Sequence, residues 1–378
     1  MFARAFCRAA HAAGCLSLAA LLAVSVPDRA PAQVITANWL GTTGNWNDPN
    51  IWSTTPTSGQ YPNNGQPLGT NTYNATVNGA GAITLNVPIT IDQLNFLSGT
   101  ITGTNSLTVN NSMTWSGGTI TSTGGLNVGS LSVPTGTATL SGTATVSGAT
   151  NVAGTLKVST GAVLNGSQPV TVASGGTLNV NGTVNQPVTS AGVVSGNAHF
   201  GSDVVIQSGG TLSPGNSAGT ITVGGNMTFN GGYDWELVAN NNLQPGMAFD
   251  MVSVSGTTTL DPPMVQAMFG GSLSFADPFW DQSRTWDILG TGSFSPQTIL
   301  PDFSTSNTDY LAFYPNGSFH LQLTANALDV IWNPSTTVPE PGTAALTAFG
   351  LAAAGLAARR RKRLRIEHRA LASRPGPR

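Results

Sequence analysis

The chain has 378 residues, of which only 8% are charged and 40% hydrophobic, and 46 are glycine. So little charge beside so much apolar side chain excludes simple disorder, and the shortage of Lys, Glu and Arg beside abundant Thr, Val, Ser, Asn and Gly points to strands joined by turns. The formal net charge of −2 hides an acidic body, with 13 Asp and Glu between Gln33 and Val338 against only Lys157 and Arg284, a balance that cannot hold a phosphate backbone and so excludes nucleic acid as a partner.

Residues 1–32 read as a secretory signal. Arg4 and Arg8 supply the positive start, Leu16 to Val26 the short apolar stretch, and Ala30-Pro31-Ala32 a small-x-small site for signal peptidase. Gln33 becomes the new first residue. Both cysteines, Cys7 and Cys15, lie in the removed segment, so neither a disulfide nor a thiol nucleophile is expected in the mature body.

Residues 33–82 read as a capping region. Trp39 and the run Gly44-Asn45-Trp46-Asn47-Asp48-Pro49-Asn50-Ile51-Trp52 supply large aromatics that would cover the open end of a stack of coils. Sugar stacking on exposed tryptophans is the functional alternative.

Residues 83–229 repeat one theme. Segments such as Ile83 to Val87, Leu107 to Val109, Leu126 to Val128 and Leu178 to Val180 alternate apolar with Thr or Asn, the period-two strand signal. Gly-Thr opens many of them, at Gly99, Gly118, Gly136, Gly154 and Gly176, at spacings of about 18 to 22 residues that suit one coil of a parallel β-solenoid. One coil cannot bury its own apolar face, but stacked coils share a narrow core of Val, Leu and Ile. Up-and-down hairpins also fit pairs such as Asn181-Gly182; the spacing favours the solenoid.

The stretch from Ser208 to Val223, containing Gly-Thr-Leu-Ser-Pro-Gly-Asn-Ser at 210–217, resembles the autotransporter-associated β-strand repeat of large bacterial passenger domains. Asn226 to Phe229 and Tyr233 to Val238 continue the likeness, which covers roughly residues 170 to 260. The resemblance implies a β-helical surface module without catalytic activity. No membrane β-barrel translocator follows, which implies export by another route.

Residues 230–332 gather most of the remaining aromatics, including Trp235, Trp280, Trp286, Phe319 and Trp332. They predict a compact β-sandwich-like module that also caps the solenoid, followed by a polar linker at 333–337. Then come Val338-Pro339-Glu340-Pro341-Gly342, the apolar run Thr343 to Ala358, and the basic cluster Arg359, Arg360, Arg361, Lys362 and Arg363. The run is at the low limit for a single spanning helix, and the cluster would stay cytoplasmic as a stop-transfer signal, with a basic tail at 364–378. This order resembles the Pro-Glu-Pro carboxy-terminal sorting domain of exosortase substrates, over residues 338–363. The resemblance implies that a membrane-embedded exosortase-type peptidase recognises Pro339, Glu340 and Pro341, cleaves there, and passes the protein towards the outer surface or the exopolysaccharide matrix. The tail after Arg363 runs longer than the family's usual pattern.

Little in the body suggests chemistry. His199 and His320 lack metal-ligand spacing. Asp234 and Glu236 would share one strand face, which makes a glycosidase pair only if opposed across a cleft. Asp277, Asp281 and Asp287 could contribute oxygens to calcium, but no Asp-x-Asp-x-Asp-Gly loop accompanies them. No catalytic residue, metal or cofactor is therefore expected. The all-β chain reads as a non-enzymatic, structural or adhesive surface protein. A secreted carbohydrate-binding protein and a β-helix polysaccharide-degrading enzyme are the alternatives, the latter poorly supplied with the Lys and Arg that neutralise an acidic sugar.

Overall fold

A computed structural model describes residues 32–334 of the chain. The signal segment up to Pro31, the end of the linker, the sorting motif, the expected membrane helix and the basic tail lie outside the described residues. Among the described residues no helix is long and apolar enough to cross a membrane; the helical turns are three short 3-10 segments, at Pro49–Ile51, Pro278–Asp281 and Asp309–Ala312.

The expected parallel solenoid is present, as one 20-stranded and one 12-stranded sheet. A coil in the middle of the rod gives two strands to the larger sheet and one to the smaller. Thus Thr143–Val146, Thr150–Val152 and Thr155–Val158 are followed by Val163–Gly166, Val170–Val172 and Thr177–Val180, in parallel register Ala144↔Leu164, Val152↔Val172 and Leu156↔Leu178. In earlier coils the first two strands merge into one bent strand, as in Ile89–Phe96, Leu107–Trp115 and Leu126–Val133. The register shifts at each bend, between Ile91 and Gln93 and between Val128 and Ser130, because a bulge turns the strand around a corner without ending it.

Alternation sends every second side chain inward, and register stacks like on like. On the smaller sheet Ala138, Leu156, Leu178, Val194, Leu212, Tyr233 and Val265 form one continuous ladder, each buried. Neighbouring strands lie about 4.8 Å apart, so each of these side chains packs on the equivalent one above and below it. The five Gly-Thr pairs at 99, 118, 136, 154 and 176 open strands of this sheet: Thr100–Gly103, Gly118–Ile120, Thr137–Leu140, Thr155–Val158 and Thr177–Val180. Gly118 shows why glycine precedes threonine there. Its φ is +87°, and a Cβ would strike the Gly99 carbonyl of the preceding coil.

Corners constrain sequence as strictly as the core. At Gly129 an added Cβ would run into the carbonyl oxygens of Asn110 and Asn111, both backbone atoms of the coil below. Gly129→Val should therefore lower stability by about 1–3 kcal/mol through a forced backbone shift, read as a lower thermal midpoint; an unchanged midpoint would show that the corner can open freely.

Two boundaries differ from the sequence reading. The solenoid begins at Val34 rather than Ile83, since Val34–Trp39 pairs in parallel with Thr72–Val77 and Gly44–Asn45 with Ala82–Leu85. Residues 230–332 are not a separate sandwich-like module. Gly232–Leu237, Met264–Phe269 and Asp302–Thr305 continue the smaller sheet in parallel, and Met251–Leu260 and Arg284–Phe294 continue the larger one. The change in composition marks longer circuits of the same coil. Long turns lengthen each circuit, and buried aromatic rings such as Trp235, Trp280 and Trp286 fill the core. At this end the last hairpin turns antiparallel, with Ala327–Asn333 between Arg284–Phe294 and Ser318–Leu323.

Both ends are closed. At the first coil Trp52–Thr55 runs antiparallel to Val34–Trp39. There Trp46 and Trp52 pack with centroids 4.8 Å apart, and their indole N–H groups donate to the Pro62 and Trp46 carbonyls. At the other end Trp280, Trp286, Trp332 and Phe319 pack mutually at centroid distances of 4.7–6.2 Å.

Candidate functional site

The outward side chains of the coils line up as the inward ones do. One column on the larger sheet runs Asn95, Thr114, Ser132, Asn151, Thr171, Thr189. One on the smaller sheet runs Thr100, Thr119, Thr139, Lys157, Asn179, Ser195, Ser213. Amides and hydroxyls bridge between coils, with Asn179 Nδ2 donating to Ser195 Oγ at 2.9 Å and Asn185 Nδ2 to Asn165 Oδ1 at 2.8 Å. Two shallow grooves open on this surface. One of about 140 Å³ lies over Thr36, Asn74, Thr76, Gln93, Asn95 and Thr114. The other, of about 270 Å³, lies over Thr108, Asn110, Asn127, Thr145 and Ser147. Neither lining contains a charged side chain. Apart from Lys157, such a surface offers neutral donors and acceptors at a regular repeat, suited to many weak contacts.

Tryptophan takes no part in it. All eight, Trp39, Trp46, Trp52, Trp115, Trp235, Trp280, Trp286 and Trp332, are no more than 6% exposed. This overturns the reading of a sugar platform built on exposed tryptophans and leaves the capping reading in place.

Asp234 and Glu236 do share the outer face of Gly232–Leu237, which has a strictly alternating burial pattern. Partial burial raises both carboxyls above their ordinary range, and Asp234 adds to the effect on Glu236. Beside them a groove of about 200 Å³ is lined by Asn216, Ser217, Glu236, Val238, Met268, Phe269, Gly270 and Gly271. Glu236 is the single ionisable group in that lining, so the groove presents one carboxylate rather than an opposed pair.

The residue that sequence reasoning missed is Asp250. It is fully buried, and its two carboxylate oxygens accept from Gly219 N at 2.7 Å and Glu236 N at 2.9 Å. It thus ties Gly219, just past the Ser-Pro-Gly-Asn-Ser corner, to the next coil. Burial lifts its carboxyl to about 8; the two N–H donors oppose that rise, and Glu236 and Asp234 add to it. A lone Asp inside the apolar run Ala248-Phe249-Asp250-Met251-Val252 was the available signal, since an acidic side chain buried among apolar ones needs partners.

The other singled-out residues have local roles. Asp277 caps a 3-10 turn by accepting from Phe279 N at 2.7 Å, and Asp281 accepts from Tyr314 OH at 2.8 Å. His199 bonds Thr222 Oγ1 through Nδ1 at 2.8 Å. Among the described residues no group of three or more His, Cys, Asp or Glu could hold a metal ion. Gln33 is held at the start of the first coil: its carbonyl accepts from Thr72 N and its N–H donates to Asn71 Oδ1. Ala30, the motif Pro339, Glu340 and Pro341, and the cluster Arg359 to Arg363 lie outside the described residues.

Comparison with known families places the remaining signal. Residues 337–362 match the PEP-CTERM protein-sorting motif, one residue earlier at each end than the span read from the residues. No curated protein matches the chain.

Proposed function

We propose that the chain is an exported surface or matrix protein whose work is done by a rigid, capped β-rod bearing columns of uncharged polar side chains, delivered by exosortase processing at its carboxy terminus. The sorting motif at 337–362 carries this reading, because that motif implies export and membrane-anchored sorting to the cell surface. The rod's regular Thr, Asn and Ser columns suit an adhesive or matrix-building role. Each contact is weak, but a polymer or a second surface meets many at once. A neutral exopolysaccharide suits these columns better than an acidic one, since the acidic body would repel the latter.

The experiment is mass spectrometry of the protein's termini in cell-envelope and medium fractions, for the native chain and for Glu340→Ala. The native protein should begin at Gln33 and end near Pro339 to Pro341, without its basic tail. Glu340→Ala should remain in the inner-membrane fraction with the tail attached, and the processed form should fall at least about tenfold, the loss expected when one essential recognition contact worth 1.4 kcal/mol or more is removed. A native protein that keeps its tail through to Arg378 would sink the proposal.

A further inference from the structure

We propose that the groove between the Ser-Pro-Gly-Asn-Ser corner and the end of strand Met264–Phe269 is a binding subsite for one ring of a neutral sugar, with Glu236 as its anchoring acceptor. Gly232–Leu237 and Met264–Phe269 run side by side in parallel, and their register sets Glu236 next to Met268 and Leu237 next to Phe269. Asn216 and Ser217, exposed on the corner of the preceding coil, complete the lining. The strand ends at Gly270 and Gly271. The φ of +63° at Gly271 turns the chain away, and a Cβ added at Gly270 would meet nothing within 4 Å. Open space therefore lies over Gly270.

Glu236 is an acceptor that lacks a donor. Its Oε2 is buried and has no hydrogen-bond partner among the described residues. A shielded polar atom left unpaired is costly. The terminal bond of a glutamate side chain has a broad, two-fold torsion, so either oxygen can be turned to the groove. Neither cation of the body supplies the donor. Arg284 donates to the Phe279 carbonyl at 2.8 Å and lies 4.2 Å from the centre of that ring, and Lys157 stands between Thr139 and Asn179 in the middle of the rod. The apolar part of the lining is held in place. Phe269 packs on Phe275 and Phe319 with centroids 5.3 and 5.2 Å apart, so a ligand meets a surface that is already ordered.

The lining selects the ligand. An apolar side with a few convergent polar groups is the make-up of a small-molecule site. The groove holds about 200 Å³, below the roughly 300 Å³ at which drug-sized pockets begin, so it suits a single ring. Glu236 only accepts, whereas the Asn216 carboxamide and the Ser217 hydroxyl both donate and accept. Sugar hydroxyls answer all three, and the C–H face of the ring suits Met268 and Phe269. An ammonium group only donates and would leave the Asn216 amide unmatched. An acidic sugar would be repelled by Glu236 and the neighbouring Asp234. A single carboxylate binds without hydrolysing, since glycosidases need a pair. The subsite deepens the polymer-binding part of the proposed function and rests on that part, not on the sorting step.

The test is calorimetric titration of the full chain with maltotetraose, cellotetraose and mannotetraose, and with tetragalacturonate as the acidic control. At least one neutral sugar should bind with a Kd on the order of 1 mM, the scale for so small a ligand. Gly270→Leu places a side chain in the open groove. Glu236→Ala removes the acceptor but keeps the backbone N–H that Asp250 accepts. Each should weaken binding at least about tenfold, the scale of one lost hydrogen bond to a charged group, with the thermal midpoint unchanged or raised. If one variant unfolds early, the other carries the test. No binding of any neutral sugar at ten times that concentration, equal binding of tetragalacturonate, or undiminished binding in either folded variant would overturn the subsite. Undiminished binding in both would leave the Thr, Asn and Ser columns as the place where the polymer sits, so the subsite and the broader reading fail separately.

Discussion

Asp250→Ala should destabilise the fold by about 2–4 kcal/mol, because it strands the Gly219 and Glu236 N–H groups inside the wall of the solenoid. These two donors are 2.7 and 2.9 Å from the carboxylate oxygens, and Asp250 itself is fully buried. The same side chain should make stability fall with rising pH. Its folded carboxyl is raised to about 8 from an ordinary 3.8, so between those values the folded state holds a proton that the unfolded state has lost. Stability is then fully present below about pH 4 and declines by about 1.4 kcal/mol per pH unit until the folded carboxyl ionises. Asp234, Glu236, Asp287 and Asp329 are all shifted upward too, and their contributions have the same sign. Urea unfolding at pH 5, 7 and 9 checks this. The wild type should be most stable at pH 5, and Asp250→Asn, which cannot ionise, should show a flatter profile while being the weaker protein at pH 5. A wild-type midpoint that rises from pH 5 to 9 would mean that Asp250 is buried as a carboxylate, held by its two N–H donors.

The solenoid was legible because its physics is local and repeated. Gly-Thr marks the entry to a strand, and Leu-Asn-Val places alternate side chains in and out. A period near 18 to 22 residues fits a single circuit. Trp46 and Trp52 also announced themselves as a cap, since large aromatics crowded ahead of a thin aliphatic repeat have an open end to cover. Legibility ended where the period did. From Tyr233 to its stacked partner Val265, and from Val265 to Phe303, the circuit is stretched by the turns around Asn240 and Phe275, so the same parallel sheet reads as a different module. The first coil was hidden in the same way by the long excursion between Trp52–Thr55 and Thr72–Val77. Asp250 was out of reach for another reason. Its meaning depends on partners 14 and 31 residues away, and no spacing rule links an aspartate to a glycine N–H in the preceding coil. The sorting motif is the opposite case: a contiguous peptide with its own chemistry, readable without any fold.

Trp332→Ala should cost about 3–5 kcal/mol, the range for removing a large buried aromatic side chain. Its ring lies 4.7 Å from Phe319, 5.5 Å from Trp280, 5.6 Å from Tyr310 and 5.4 Å from Tyr314, centroid to centroid. Its indole donates to the Trp280 carbonyl at 2.9 Å, so truncation leaves both a cavity and an unpaired acceptor. The distribution of the damage is more telling than its size. In a solenoid each coil touches only its neighbours, so stability is close to a sum of coil and interface contributions. Losing the plug should expose the apolar end of the stack and let the last coils fray while the rest stays folded. Hydrogen exchange should therefore accelerate in Met251–Leu260, Arg284–Phe294 and the hairpin strands Ser318–Leu323 and Ala327–Asn333. The narrow coils between Thr137–Leu140 and Thr177–Val180 should keep their protection. Uniform loss along the rod would mean that it unfolds as one cooperative unit, with the aromatic end acting as the lock on the whole structure rather than as a cap on its last turns.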